Sequence, residues 1–307
     1  MGLTRARWAG FFVLCLLGAS GWLVDQAWPS ALPAAPRQGL DDLLIAVVLG
    51  AVDWRSFGRG EARGRPWVRL GLGSVLLLGV PATLAGIALG GASEITVAAL
   101  FGLAPVIVVV LVVGFESGAG EGSGARALLM PSLAGLAGIL LVLPVETPAS
   151  WREIEFPGIA LVGVLTAAAA SVWMYRLLGY FSVVEGAAVC GAANAVYFLV
   201  VFAASGLGGA GWGAGWIWSS LGVEAVKAVG FDLPQVVLLV WLLRDLAPVR
   251  FAARFLVIPL LTVAEGFALM RPEVSLRAAG GAALVGFGAW RLATARLRDE
   301  ESWLMLR

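Results

Sequence analysis

Apolar residues along this chain come in runs of about twenty, separated by short polar or Gly/Pro-rich breaks. A hydrocarbon core of about 30 Å needs roughly 20 residues at a 1.5 Å helical rise. Ten segments meet that length, at about 8–24, 40–57, 67–90, 94–115, 126–144, 156–176, 183–205, 218–243, 248–270 and 273–295. The second is the weakest, because Asp41, Asp42 and Asp53 fall near its ends. The ninth and tenth are separated by little more than Arg271-Pro272, and a proline there continues a helix poorly, which predicts a tight hairpin.

The pattern repeats. Thr96–Glu116 reads TVAALFGLAPVIVVVLVVGFE, and from Arg250 the chain reads RFAARFLVIPLLTVAEGFALMRP. With Pro105 set over Pro259, an offset of 154 residues, Ala98-Ala99 and Phe101 fall on Ala252-Ala253 and Phe255. The offset is half the chain, which predicts two five-helix units, 1–150 and 151–307, joined by the polar stretch 145–156. Arginine and lysine fix the orientation. With the N-terminus cytoplasmic, 16 of the 21 basic residues fall in inside regions and 4 in outside loops; Lys227 lies within a span. This asymmetry predicts cytoplasmic termini and an even number of spans. Five spans per unit is odd, so the second unit must be inverted relative to the first. The start MGLTRARWAGFFVLCLLGAS also fits a signal peptide, but losing that run would spoil the five-plus-five pattern.

Composition agrees with a membrane protein: 60% of residues are hydrophobic, 13% are charged, and the mean hydropathy is +0.92. A soluble domain has about 25% charged residues. There is no histidine, which removes His-based zinc sites, His general bases and Ser-His dyads. Cys15 and Cys190 stand alone in apolar runs and read as small buried hydrophobes. The loops 116–126 and 206–215 are glycine-rich, yet no GxxxxGK[ST] motif occurs, so neither is a nucleotide loop. The net charge of +1 gives no reason to expect a nucleic-acid partner. No metal ligand set, cofactor motif or catalytic constellation is apparent.

The two Pro-containing blocks, each followed by a Gly/Ala-rich helix (LAGLAGILLVLP and GGAALVGFGAW), resemble the drug/metabolite transporter superfamily, specifically the EamA-type transporters. GASGWLVDQAWP at 18–29 and LLVWLLRDLAPVRFAARFLVIP at 238–259 are similar to that pattern too. The resemblance implies an all-α polytopic membrane protein, with ten transmembrane helices as two inverted five-helix repeats. It also implies a secondary transporter of a small metabolite or drug-like molecule across a bacterial inner membrane. The chain departs from the pattern in two places. Met270-Arg271 stands where the second repeat should carry a Glu, and the eighth span bears Glu224, Lys227 and Asp232.

Those charges are the candidate site. At 100° per residue Glu224, Lys227, Asp232 and Gln235 share one face of the eighth span. A charge at the centre of a membrane helix costs about 2.5–3.5 kcal/mol on insertion scales, so it normally faces a bundle interior or water. The competing explanation is a Glu224–Lys227 pair that only neutralises itself. In the ninth span Arg254 and Glu265 lie three turns apart on one face; Arg254 is close enough to the end to snorkel, whereas Glu265 is not. Asn194 reads as an interhelical hydrogen bond at a small-residue face. Trp22, Trp173 and Tyr175 fit either a lining or an interfacial belt, and Trp212, Trp216 and Trp218 fit a belt. Asp25, Asp41, Asp42 and Glu94 fall at outer ends and read as solvated, and Gly280, Gly281, Gly286 and Gly288 read as helix-packing positions.

The expected function is alternating access about a midplane cavity. Proton coupling through Glu265, Glu224 or Asp232 is compatible with the sequence, as are uniport and exchange. A non-transporting scaffold, with the charges as structural pairs, is the alternative. An intramembrane lipid enzyme is weaker, since there is no His and no DDxxD. The sharpest expectation is that Lys227, Glu224 and Glu265 meet in the outer half of the bundle, because their depths match.

Overall fold

A computed structural model describes residues 5–30, 32–53, 65–116, 127–143, 151–206, 218–271 and 275–295. Every regular element among them is helical. In chain order they are α1 (Arg5–Ala27), α2 (Ala34–Val52), α3 (Trp67–Ala88), α4 (Glu94–Phe101 and Ala104–Glu116), α5 (Leu129–Val142) and α6 (Trp151–Leu177). After them come α7 (Val183–Gly206), α8 (Trp218–Lys227, continuing to Asp245), α9 (Pro248–Ala252 and Arg254–Met270) and α10 (Leu276–Ala293). Seven of these, α1, α3, α4, α6, α7, α8 and α9, are long and apolar enough to cross a membrane. α2 carries Arg37, Asp41 and Asp42, α5 is short, and α10 is diluted by arginine and glycine.

Local chemistry explains the ends and irregularities. The Ser93 and Ser275 hydroxyls accept the backbone N–H of Thr96 and Ala278, capping α4 and α10. Arg271 closes α9 in the left-handed region, with φ 49°. α3 and α8 each widen into a π turn, at Val75–Gly79 and Ala228–Asp232. Each π turn ends just before a proline, Pro81 or Pro234. A proline has no N–H and crowds the carbonyl four residues back. The residue before it then bonds five back, Val80 to Val75 and Leu233 to Ala228.

The helices run alternately up and down. The start of α1 lies beside the end of α8, where Arg7 pairs with Asp245. Arg65, before α3, reaches Glu185 at the start of α7, and Asp53, after α2, accepts from Ser182. These ends form one face, which we call the basic face. On the opposite face, Arg277 of α10 donates to the Leu140 and Leu141 carbonyls at the end of α5. α2 packs along α7 and α5 along α10, while α1 packs on α8 and α9, and α6 on α3 and α4. The α5–α10 contact is backbone to backbone: a Cβ at Gly138 would come within 2.6 Å of the Gly281 carbonyl. Outward positions such as Val47, Leu16 and Val196 are apolar and exposed, as a lipid-facing periphery requires.

Several sequence expectations change. α2 begins at Ala34 rather than near 40, so Asp41 and Asp42 lie inside the helix and are buried rather than solvated. α6 starts at Trp151, five residues early. The fourth and ninth spans are each broken, after Phe101 and after Ala252. Gly281 and Gly288 make close helix contacts, whereas Gly280 and Gly286 face nothing within 4 Å. Trp212, Trp216, Pro272 and both glycine-rich loops lie outside the described residues, as does the Glu116 side chain.

Candidate functional site

The first half of α8 aims Glu224 and Lys227 at α1 and α2. The Lys227 ammonium donates to Asp25 Oδ1 at 2.7 Å and lies 3.9 Å from Glu224 Oε2. Arg37 of α2 also reaches Asp25, at 3.6 Å. Asp41 is within Coulombic reach of Asp232, Glu224, Lys227 and Arg37. Asp232 is likewise coupled to Lys227, Asp25, Arg37 and Glu224, and Asp42 to Asp41 and Asp232. One electrostatic cluster therefore joins α1, α2 and α8, with Asp25 half-exposed at its rim. Glu224 is 0% exposed and, among the described residues, neither carboxylate oxygen has a hydrogen-bond partner; Asp41 Oδ1 also has none there. The Glu224–Lys227 pair weighed as the competing explanation is present at 3.9 Å, while the shorter contact of Lys227 goes to Asp25 on α1. The helical-wheel face also ends early. The π turn adds a residue and rotates the remainder of α8 by about 100°. Gln235 is half-buried and hydrogen-bonds to nothing among the described residues.

Glu265 does not meet Lys227, contrary to expectation. It is held on the seam between α9 and α1, where the Ser20 hydroxyl donates to Oε1 at 2.6 Å and Trp22 Nε1 to Oε2 at 3.1 Å. Equal depth does not mean contact: α1 stands against both α8 and α9 and supplies separate partners to each. Farther along this seam Gly18 lets Ile258 approach, and the Thr262 hydroxyl lies 3.4 Å from the Ala19 carbonyl.

Arg254 sits toward the basic face on the same side of α9. It does not snorkel; it is buried. The break at Ala253 coincides with a guanidinium stacked over Phe251, 3.9 Å from the ring centroid, and Phe255, 4.7 Å away. Its Nη1 has no hydrogen-bond partner among the described residues.

Asn194 takes the role expected of it. Its amide donates to Ser74 Oγ at 2.6 Å and to the Cys190 carbonyl at 2.9 Å, joining α7 to α3 just before the π turn. Between α4 and α6, toward the basic face, lies a pocket of about 230 Å³ lined by Leu111, Ala169, Val172, Trp173 and Arg176. Tyr175, grouped with Trp173 by sequence, is instead buried and does not line it. The sequence pattern missed Ser20, Asp25 and Asp41 as site residues. The signal for Asp25 and Asp41 was a carboxylate inside or beside an apolar run; Ser20 gave none.

No family model and no curated protein matches the chain. Among solved structures, one described as "Crystal structure of protein" is similar over 95% of this chain and 99% of that one, with a TM-score of 0.69 at 18% identity. That likeness extends to the fold of nearly the whole chain.

Proposed function

We propose that the chain is a secondary transporter of a small metabolite or drug-like molecule, embedded in a bacterial cytoplasmic membrane with both termini inside. In this reading α1–α5 and α6–α10 are two inverted five-helix repeats. Matching irregularities support the repeat. Val75 and Ala228, where the two π turns start, are 153 residues apart, as are Pro81 and Pro234. The packing also maps onto itself when each helix is exchanged for its counterpart. α1 on α9 becomes α6 on α4, α1 on α8 becomes α6 on α3, and α2–α7 and α5–α10 are unchanged. An axis in the membrane plane would produce that exchange.

The observation that carries the transport reading is a difference between two matching seams. Glu265 latches α9 to α1 through Ser20 and Trp22. Its counterpart by the 154-residue offset is Leu111, and Ser20 matches Trp173 at 153; both counterparts line the α4–α6 pocket. One seam is latched by hydrogen bonds where its packed counterpart holds a pocket, an asymmetry of the kind that alternating access about a pseudo-two-fold axis uses. Glu265 at the latched seam is then an outer gate residue.

The test starts from a thermal-stabilisation screen of purified protein against amino acids, nucleosides and drug-like amines. The best compound is then followed in proteoliposomes. Glu265→Gln is expected to abolish flux while the protein stays folded and monodisperse. Full flux in that variant removes the gate role, and no flux of any stabilising compound by the wild type removes the transport reading.

A further inference from the structure

The α1–α2–α8 cluster holds five carboxylates, Asp25, Asp41, Asp42, Glu224 and Asp232, against two cations, Lys227 and Arg37. Both cations make their closest ion pair with the rim Asp25, Lys227 at 2.7 Å and Arg37 at 3.6 Å, and Lys227 stands farther, at 3.9 Å, from Glu224. Among the described residues, both oxygens of Glu224 and Oδ1 of Asp41 lack a hydrogen bond, although Glu224 is fully buried. A buried acceptor left unmade is costly, and a buried carboxylate more so. Glu224 lies six residues inside the start of α8 at Trp218, or about 9 Å along the helix. Asp41 lies seven residues inside the start of α2 at Ala34, or roughly 10 Å. Both acceptors stand at one depth behind a rim whose own acid, Asp25, is half-exposed.

The matching place in the other half shows what a purely structural contact looks like there. Asp41 and Asn194 are 153 residues apart, and so are Lys227 and Ser74. Asn194 and Ser74 close on one another at 2.6 Å as a neutral, hydrogen-bonded pair. Packing at this position is met by an amide and a hydroxyl, with Asn194 Oδ1 left without a partner among the described residues. In the charged version the open acceptors belong to carboxylates, whose unmade bonds are the costlier ones.

We infer that Glu224 and Asp41 form a binding site for an organic ammonium group, reached past Asp25, with Lys227 as a tethered ammonium that competes for it. An ammonium presents three donors in a small volume, which suits two open carboxylates at similar depth and within Coulombic reach of one another. A metal ion fits less well, since no three acidic or cysteine side chains converge at ligand spacing among the described residues. In the present arrangement Lys227 is drawn to Asp25 and stands 3.9 Å from Glu224, so the buried carboxylates are left for a ligand. Should Lys227 turn back to Glu224, it would expel that ligand. This deepens the transport reading by naming a substrate class, and it rests on that reading only for the route the ligand takes.

The experiment is equilibrium binding to the purified full chain in detergent. Thermal shift and calorimetry are run with propylammonium chloride and putrescine, against sodium chloride and sodium propionate at equal ionic strength. The wild type is expected to be stabilised saturably by the two amines alone. Glu224→Gln and Asp41→Asn are each expected to weaken amine binding at least tenfold. Two further variants are expected to move in opposite directions. Lys227→Gln removes the competitor and tightens binding, whereas Asp25→Asn releases Lys227 onto Glu224 and weakens it. Asp25 lies at the rim, so its variant remains informative if a change at buried Lys227 impairs folding. Equal shifts with sodium salts, saturable binding of propionate instead of amine, or unchanged amine affinity in both Glu224→Gln and Asp25→Asn overturns the site. Binding is measured without flux. Amine binding in a protein that transports nothing leaves the site standing, and transport without amine binding leaves only the transport reading.

Discussion

At the scale of residues, buried polar groups in this bundle divide by whether they tie two helices through their donors or present charged acceptors that no donor meets among the described residues. Asn194 donates to Ser74 and to the Cys190 carbonyl, two helices being tied by one amide. Interhelical polar contacts of this kind contribute about 0.6–2 kcal/mol in membranes. Asn194→Ala is therefore expected to lower the stability of the purified protein by about 1–2 kcal/mol, read in detergent unfolding, and to leave flux unchanged. Lost flux at unchanged stability would instead put Asn194 in the transport path. Glu224 and Asp41 belong to the other group, with carboxylate oxygens that no donor meets among the described residues. Arg254 is a third case: aromatic faces of Phe251 and Phe255 stand where a carboxylate would otherwise be needed.

At the scale of elements, the α5–α10 pair has the least tolerance, because backbone meets backbone. A Cβ on Gly138 would lie 2.6 Å from both the Gly281 carbonyl and the Val285 nitrogen, and one on Gly288 would lie 2.6 Å from the Pro131 carbonyl. Main-chain atoms of two packed helices have nowhere to move, so overpacking there costs at least the typical 1–3 kcal/mol, roughly. Gly138→Val is expected to reduce the yield of monodisperse protein and to lower its melting temperature by several degrees. Gly286→Ala, on the same α10 but facing nothing within 4 Å, is expected to be silent or mildly stabilising. Similar losses from both would show that general helix propensity, not close approach, makes these positions glycine. The π turns of α3 and α8 are the other element-level feature. Each places a polar residue, Ser74 or Lys227, immediately before a widened turn, and rotates the rest of its helix away from the face an ideal period assigns.

At the scale of the whole molecule, alternating direction and the grouping of helix ends into two faces set the topology. Arg7, Arg65 and Arg244 lie with Asp245, Glu185 and Asp53 at the basic face, which the proposed topology places on the cytoplasmic side. Reporter fusions at Gly120 and at Arg307 are expected to report cytoplasm, and one at Gly209 the exterior. A C-terminal fusion on the exterior would overturn the ten-span, inverted-repeat topology. The surface ion pairs at the basic face contribute little stability individually, so neutralising Arg7 or Asp245 is expected to change stability by less than about 1 kcal/mol.

The sequence by itself determined the helical membrane class, since runs of about twenty apolar residues leave the backbone no alternative to internal hydrogen bonding. It also determined which positions carry unusual charge, because a carboxylate or ammonium inside such a run is visible without coordinates. Partners were a different matter. Depth along a helix comes from counting residues, but azimuth does not, once a π turn rotates α8 after Lys227 and a break turns α9 at Ala253. Only the tertiary structure decided that α1 gives Asp25 to Lys227 and Ser20 with Trp22 to Glu265, keeping the two apart. Likewise only the early start of α2 at Ala34 carried Asp41 and Asp42 into the interior. Local pattern fixes how far along each helix a side chain lies; the packing of neighbouring helices fixes what it meets there.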